Sequence, residues 1–185
     1  MTMALKSTVY KAQIQIADMD RNYYEDHLLV VACHSSETEI RLMMRLLAFS
    51  LHAQERLEFA NGISEPDEPD LWVKTLTGEI DLWIQVGQPD EKALLKACGR
   101  ARKVVVYAYN QNPRLWWEKI APKLVKARNL EVYFVEHQSA EALGNLADQR
   151  LDLQVMIQEG EITLRSDGGE VGLQVSRMEV SRMEV

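Results

Sequence analysis

The alternation of hydrophobic and polar positions divides the chain into strands and helices. Residues 8–16 alternate, with Tyr10, Ala12, Ile14 and Ile16 on one side and Lys11, Gln13 and Gln15 on the other, the period of a half-buried strand. A polar turn at 18–22 leads to an apolar run at 27–33, rich in valine, that reads as the second strand of a hairpin. Ser36 and Glu39 have the spacing of a capping box. Ile40, Met43, Met44, Leu47 and Leu51 then recur at three and four, which predicts a helix to about Leu57. Residues 61–70, with Gly62, Pro66 and Pro69, form a loop.

Residues 71–75 and 80–86 predict a hairpin around Thr77-Gly78, and Asp90-Glu91 opens a short helix that Gly99 closes. Val104, Val105, Val106 and Tyr107 mark a strand buried on both faces. Asn112-Pro113 starts a helix with proline at its first position, running to about Arg128 past a kinking Pro122. A strand at 130–135, a short helix capped by Ser139, and a hairpin of 151–157 with 162–164 complete the order. Hairpins mixed with helix-linked strands predict an α/β (α+β) fold, a mixed central sheet with flanking helices. No G-x-G-x-x-G turn is present, and the hairpins break the alternation of a dinucleotide-binding sheet. Ser176-Arg-Met-Glu-Val180 is repeated at once over 181–185, too short a repeat for a repeat architecture. The expectation is one domain over residues 1–175, with the duplicated tail 176–185 outside the fold.

Composition narrows the class. A chain of 185 residues that is 46% hydrophobic can hold a core without disulfides or a structural metal. Cys33 and Cys98 lie far apart with no C-x-x-C spacing and read as buried thiols, which fits a reducing compartment. No apolar leader and no membrane-spanning apolar run is seen, so a cytoplasmic location is expected. The sequence lacks G-x-S-x-G, P-loop and H-E-x-x-H motifs, and its histidines, His27, His34, His52 and His137, are scattered through different elements.

Charge is unevenly spread. From Glu55 to Glu91 there are ten acids and two bases; from Lys92 to Arg128 there are ten bases and one acid. One reading is a hard-cation site beside a phosphate-attracting surface that would hold nucleic acid. The other is a solvated acidic loop followed by the polar faces of basic helices. The net charge of −7 excludes a uniformly basic nucleic-acid coat. A two-residue turn at Thr77-Gly78 would set Lys74 opposite Asp81, Trp72 opposite Trp83 and Asp70 opposite Gln85. Leu71, Val73, Ile80, Leu82, Ile84 and Val86 would then face the core. The opposite face could hold magnesium on Asp70 and Asp81, or simply carry a Lys74–Asp81 ion pair beside a tryptophan pair.

The stretch Gly78-Glu-Ile-Asp-Leu-Trp-Ile-Gln-Val-Gly-Gln-Pro-Asp-Glu91 resembles the signature of the bacterial YaeQ family. So do Ala4-Leu-Lys-Ser-Thr-Val-Tyr-Lys11 and Lys96-Ala-Cys-Gly-Arg-Ala101. The resemblance implies a variant PD-(D/E)XK, restriction-endonuclease-like core with added β-hairpins, and with it a magnesium-dependent phosphodiesterase. Its motif asks for an acid on one strand, an acid-x-lysine on the next and a helix glutamate; two acids bind magnesium and the lysine orients water. The first acid maps to Asp70 and the helix glutamate to Glu39. The second-strand position falls on Gln85-x-Gly87, which supplies neither acid nor lysine. Asp81 as second acid and Lys74 as displaced lysine would restore the set. The alternative is a non-catalytic member that binds nucleic acid or protein.

Overall fold

The computed structural model describes residues 7–179. In chain order the elements are β1 (Thr8–Asp18), β2 (Tyr23–Cys33), α1 (Glu39–His52), β3 (Leu57–Phe59), β4 (Leu71–Lys74), β5 (Ile80–Val86), α2 (Glu91–Arg100), β6 (Ala101–Ala108), α3 (Pro113–Ile120), β7 (Leu130–Phe134), α4 (His137–Gly144), β8 (Arg150–Gln158), β9 (Glu161–Ser166), β10 (Gly169–Leu173) and β11 (Ser176–Met178). The strands build two mixed sheets, where the sequence pattern had pointed to one central sheet. The chain divides into two compact units. One runs to Ser50 and resumes over Gln138–Gln174; the other takes Leu51–His137 and the segment from Val175.

The first unit holds a five-stranded sheet in the order β10-β9-β8-β1-β2. The expected hairpin of β1 and β2 is present, its register unbroken from Thr8 opposite Cys33 to Asp18 opposite Tyr23. β1 also runs parallel to β8, Ile14 opposite Leu153. Alternation sends Ala12, Ile14, Ile16, Leu151, Leu153, Val155 and Ile157 into the core. Helix α1 is buried continuously from Leu42 to Ser50, as a helix apolar on nearly every side must be. It starts at Glu39, and its cap is Thr38, whose Oγ1 accepts from the Arg41 N–H at 3.1 Å, rather than Ser36. Ser36 Oγ instead meets the His34 ring nitrogen at 2.7 Å. At Gly144 in α4, an added Cβ would lie 2.7 Å from Ile40 Cγ1, so only glycine allows this approach.

The second unit holds a six-stranded sheet in the order β11-β7-β6-β5-β4-β3. β3, β4 and β5 pair antiparallel, while β5, β6 and β7 run parallel. α2 and α3 supply the crossovers between the parallel strands. Leu94 and Ala97 of α2 and Trp117 of α3 pack in one cluster with Trp72, Trp83, Val104 and Val106. The Asp90 carboxylate caps α2, accepting from the Ala93 N–H at 2.8 Å. α3 stops at Ile120, and Pro122 sits in a 3-10 turn, so the helix expected to reach Arg128 ends eight residues earlier. The first copy of the repeated pentapeptide, expected outside the fold, supplies β11, which pairs antiparallel with β7. Trp117 Nε1 donates to the Glu179 carbonyl at 3.3 Å, fixing it further. The second copy lies outside the described residues.

Candidate functional site

The β4–β5 hairpin carries four of the five residues picked out by sequence. Leu71, Val73, Leu82, Ile84 and Val86 of its expected core face are buried, but Ile80, expected with them, packs with Trp72 and Trp83 on the other face, which is buried too. Trp72 does oppose Trp83, the rings meeting edge-on with centroids 6.5 Å apart. The register then departs from expectation. Val73 pairs with Leu82 but Lys74 pairs with Ile80, so Asp81 is the extra residue of a β-bulge. The turn is also wider than two residues: Thr75 N–H donates to the Glu79 carbonyl at 2.8 Å, and Gly78 takes φ 89° inside it.

The bulge decides the fate of Lys74 and Asp81. Lys74 Nζ sits 3.6 Å from the Trp72 ring centroid, a cation–π contact, and makes no ion pair with Asp81. Asp81 turns to Arg102 on β6, with Oδ1 3.3 Å from Nη1. That contact is Coulombic only, because Oδ1 is buried and lacks a hydrogen bond of acceptable geometry. Arg102 also donates to Glu79 Oε2 at 2.9 Å. The parallel β5–β6 pairing creates this trio, and nothing in local sequence announces it.

Asp70 lies at the other end of the hairpin. It is 2% exposed, and its Oδ2 accepts the Val86 N–H at 2.8 Å, so the carboxylate continues the ladder in place of a backbone carbonyl. Gln85 Oε1 accepts from Trp83 Nε1 at 3.4 Å. Asp70 and the 85–87 segment are therefore neighbours, as the motif mapping required. Asp81 is four residues from Gln85 along β5, on the order of 13 Å at about 3.3 Å per residue. Asp70 and Asp81 thus do not share an ion. Among the described residues, no three His, Cys, Asp or Glu side chains converge to hold a metal. Glu39 belongs to the first unit, exposed in the first turn of α1, where it lines a shallow depression of about 430 Å³ with Ile40, Glu141, Gly144 and Asn145. Magnesium on Asp70 and Asp81 does not fit this donor set.

The two charge blocks answer each other. Lys96 pairs with Asp67, and Arg100 donates to the Asp67 carbonyl while its guanidinium lies 5.2 Å from the Trp83 ring centroid. Lys123 meets Glu91 at 2.9 Å and Lys103 meets Glu131 at 3.2 Å. The Lys96 hydrogen bond holds the Asp67 carboxyl below its ordinary value. Among the described residues, Lys92, Lys119, Lys126 and Arg128 are the bases of this segment left without a partner. The surface is a mosaic of acid beside base.

A tyrosine cluster missed by sequence reading links β6 and β7. His52 lies 2.6 Å from the Tyr107 hydroxyl, and the Tyr107 ring stacks on Tyr133 with centroids 5.5 Å apart. Tyr133 donates to Glu131 Oε2 at 3.0 Å. Burial pushes the Glu131 carboxyl up, but the Lys103 and Tyr133 hydrogen bonds, with Arg177, outweigh it and leave the carboxyl below its ordinary value. Burial and that same bond raise the Tyr133 phenol. The only signal in the sequence was an aromatic at the buried end of each strand.

Two mixed sheets and four helices define an α+β protein, with the mapped site on the sheet of parallel crossovers. A family profile described as YaeQ protein matches residues 3–175, and the chain belongs to this family. It is 41% identical over 175 residues to the YaeQ protein of Salmonella typhi, covering 94% of this chain and 97% of that one. It is 42% identical over 166 residues to that of Shigella flexneri, covering 89% and 92%. The crystal structure of YaeQ from Xanthomonas axonopodis pv. citri superposes with a TM-score of 0.91 at 47% identity, over 95% of this chain and 99% of that one. That of YaeQ from Pseudomonas syringae gives 0.90 at 34%, over 94% and 96%. No helix among the described residues is long and apolar enough to cross a membrane.

Proposed function

We propose that this protein is a non-catalytic member of its family: a divergent PD-(D/E)XK-type sheet that serves as a protein-binding module. The strand order β3-β4-β5-β6-β7, antiparallel and then parallel, with α2 crossing from β5 to β6, supports the superfamily placement. The observation that carries the loss of catalysis is where the acids are held. Asp70 is bound to the Val86 N–H and Asp81 is drawn to Arg102 at the opposite end of β5, while Gln85 brings no charge to the second-strand position. Two anionic ligands on one magnesium are the usual minimum for activating water, and this arrangement supplies one. A nucleic-acid ligand is given less weight because Lys96, Arg102, Lys103 and Lys123 already have carboxylates beside them, which leaves part of the basic segment for phosphate.

The test is incubation of the purified chain with magnesium or manganese and duplex or single-stranded DNA. No cleavage above background is expected, and DNA retention should be absent even at low salt. Metal-dependent cleavage that disappears in Asp70→Asn would refute the reading. DNA binding that falls steeply with salt would return the segment from Lys92 to Arg128 to a phosphate-binding role.

A further inference from the structure

The strand that closes one edge of the second unit's sheet comes from a repeated sequence. Ser176-Arg-Met-Glu-Val180 is followed at once by the same five residues over 181–185, and a valine, Val175 or Val180, leads into each copy. The first copy forms β11, with Ser176 opposite Phe134 and Met178 opposite Val132 on β7. Contacts beyond the ladder hold it there. Arg177 Nη2 lies 3.7 Å from Glu131 Oε1. The Met178 side chain packs against the cluster that contains Trp117 and Val132. Trp117 Nε1 donates to the Glu179 carbonyl at 3.3 Å. Every one of these contacts uses a residue that the second copy repeats in the same order: Arg182 for Arg177, Met183 for Met178, and the Glu184 carbonyl for that of Glu179.

We propose that the β7 edge accepts either copy. Residues 181–183 replace 176–178 in the β11 position of the same chain, in the same register, and the tail exchanges between the two. A sheet edge that loses its strand is a template for pairing with other chains. A second copy within reach keeps β7 covered whenever the first one leaves.

Chain length sets the balance, because the side chains at the edge are the same in both positions. The linker from the end of β10 at Leu173 is 174–175 for the first copy and 174–180 for the second. Loop closure costs more for the longer linker, as the three-halves power of length, which favours the first copy roughly fivefold. About one chain in six then holds the second copy at the edge. The tail of another molecule is the competing occupant. A segment tethered by so short a linker has an effective concentration in the millimolar range, so at micromolar protein the chain's own copy wins.

The test uses the full chain with paired prolines in the first copy (Arg177→Pro with Met178→Pro), in the second (Arg182→Pro with Met183→Pro), or in both. Neighbouring residues of a strand point their N–H groups to opposite sides, so each pair removes the donor facing β7 along with the methionine. Urea denaturation is followed by tryptophan fluorescence, which reports the second unit because Trp72, Trp83, Trp116 and Trp117 all lie in it. Blocking the second copy should leave the folding constant nearly unchanged. Blocking the first should lower it about fivefold, and blocking both about thirtyfold or more, as ending the chain at Val175 does. Hydrogen exchange read by mass spectrometry reports the replacement itself: amides of 181–184 should exchange about fivefold more slowly with the first copy blocked than in wild type. A first-copy variant as unstable as the variant blocked in both copies would overturn the proposal, as would 181–184 exchanging there at the wild-type rate. Sedimentation of the first-copy variant should give the wild-type mass. A concentration-dependent dimer formed by that variant and not by wild type would assign the vacated edge to the tail of a second molecule instead.

Discussion

Replacing Glu37 by alanine should be among the most damaging single changes in the first unit. Its side chain is fully buried. Oε1 and Oε2 take the Arg45 guanidinium as a fork at 2.7 and 2.8 Å, and Oε1 accepts from Arg41 Nη1 at 3.0 Å. The Arg45 side chain is only 5% exposed. Removing the carboxylate therefore strands a guanidinium where water cannot replace what was lost. Breaking one side of a buried pair costs about 3–5 kcal/mol, several times an exposed pair. For a chain of this length that is a fall in melting temperature of roughly 6–20 °C. Urea denaturation followed by circular dichroism measures it directly. The double variant Glu37→Leu with Arg45→Met removes both charges and should recover most of the loss, since apolar replacement of a buried pair is often near neutral. A Glu37→Ala chain within about 1 kcal/mol of wild type would refute the reasoning, because the pair would then behave as a solvated one.

The other expectations are quickly stated. Asp81→Ala should cost less than about 1 kcal/mol, since its partner Arg102 is mostly exposed, and a Lys74/Asp81 double-mutant cycle should show coupling no larger than about 0.5 kcal/mol. Gly144→Ala should destabilise by about 1–3 kcal/mol through the clash with Ile40 Cγ1, and should cost less in an Ile40→Ala background, which removes that atom, as read in thermal melts. The Tyr23 phenol is raised to about 12 by burial and by its hydrogen bond to Glu25. Its protonated form is favoured by folding, so the stability it lends is intact below about pH 10 and lost as pH rises toward 12. A phenolate absorbance titration compared with Tyr23→Phe should show that late step. Ending the chain at Val175 removes β11 and the Met178 packing, and should cost the second unit about 2–3 kcal/mol by urea melt.

What could be seen in the sequence was local. The two faces of β1 and of the β4–β5 hairpin follow from period-two alternation, and the valine run of β6 from its burial on both sides. Asp70 and Gln85 are neighbours, as the expected hairpin register has them, because the bulge at Asp81 offsets the wider turn and restores that register from Val73 outward. The same inference failed at Lys74, since a bulge at Asp81 leaves no mark in composition. Glu39 drew attention through capping-box spacing, whereas buried Glu37, two residues earlier, looked like one more surface acid. Its importance depends on Arg45 lying two helical turns on. β3 was missed in the short stretch between the expected helix end at about Leu57 and the loop from Asn61, and β11 inside a repeat that looked dispensable. The pairing of β1 with β8 and the division into two sheets depend on contacts between distant segments, which periodicity does not encode.

The parallel pairing of β1 with β8 sets a timetable for the ribosome. Lys11 has to wait for Arg150 before its strand acquires a second neighbour. At about 5–20 residues per second, the roughly 140 residues between them take about 7–28 s to make. In that interval the β1–β2 hairpin is a two-stranded ribbon, marginal in water, with its core residues unburied and the β2 edge bare. The intervening 51–137 segment can meanwhile gather five of the six strands of its own sheet, and β11 emerges last of all to close that sheet's edge. Early exposure of the hairpin makes nascent chains the form most at risk of aggregation, and most dependent on a holding chaperone.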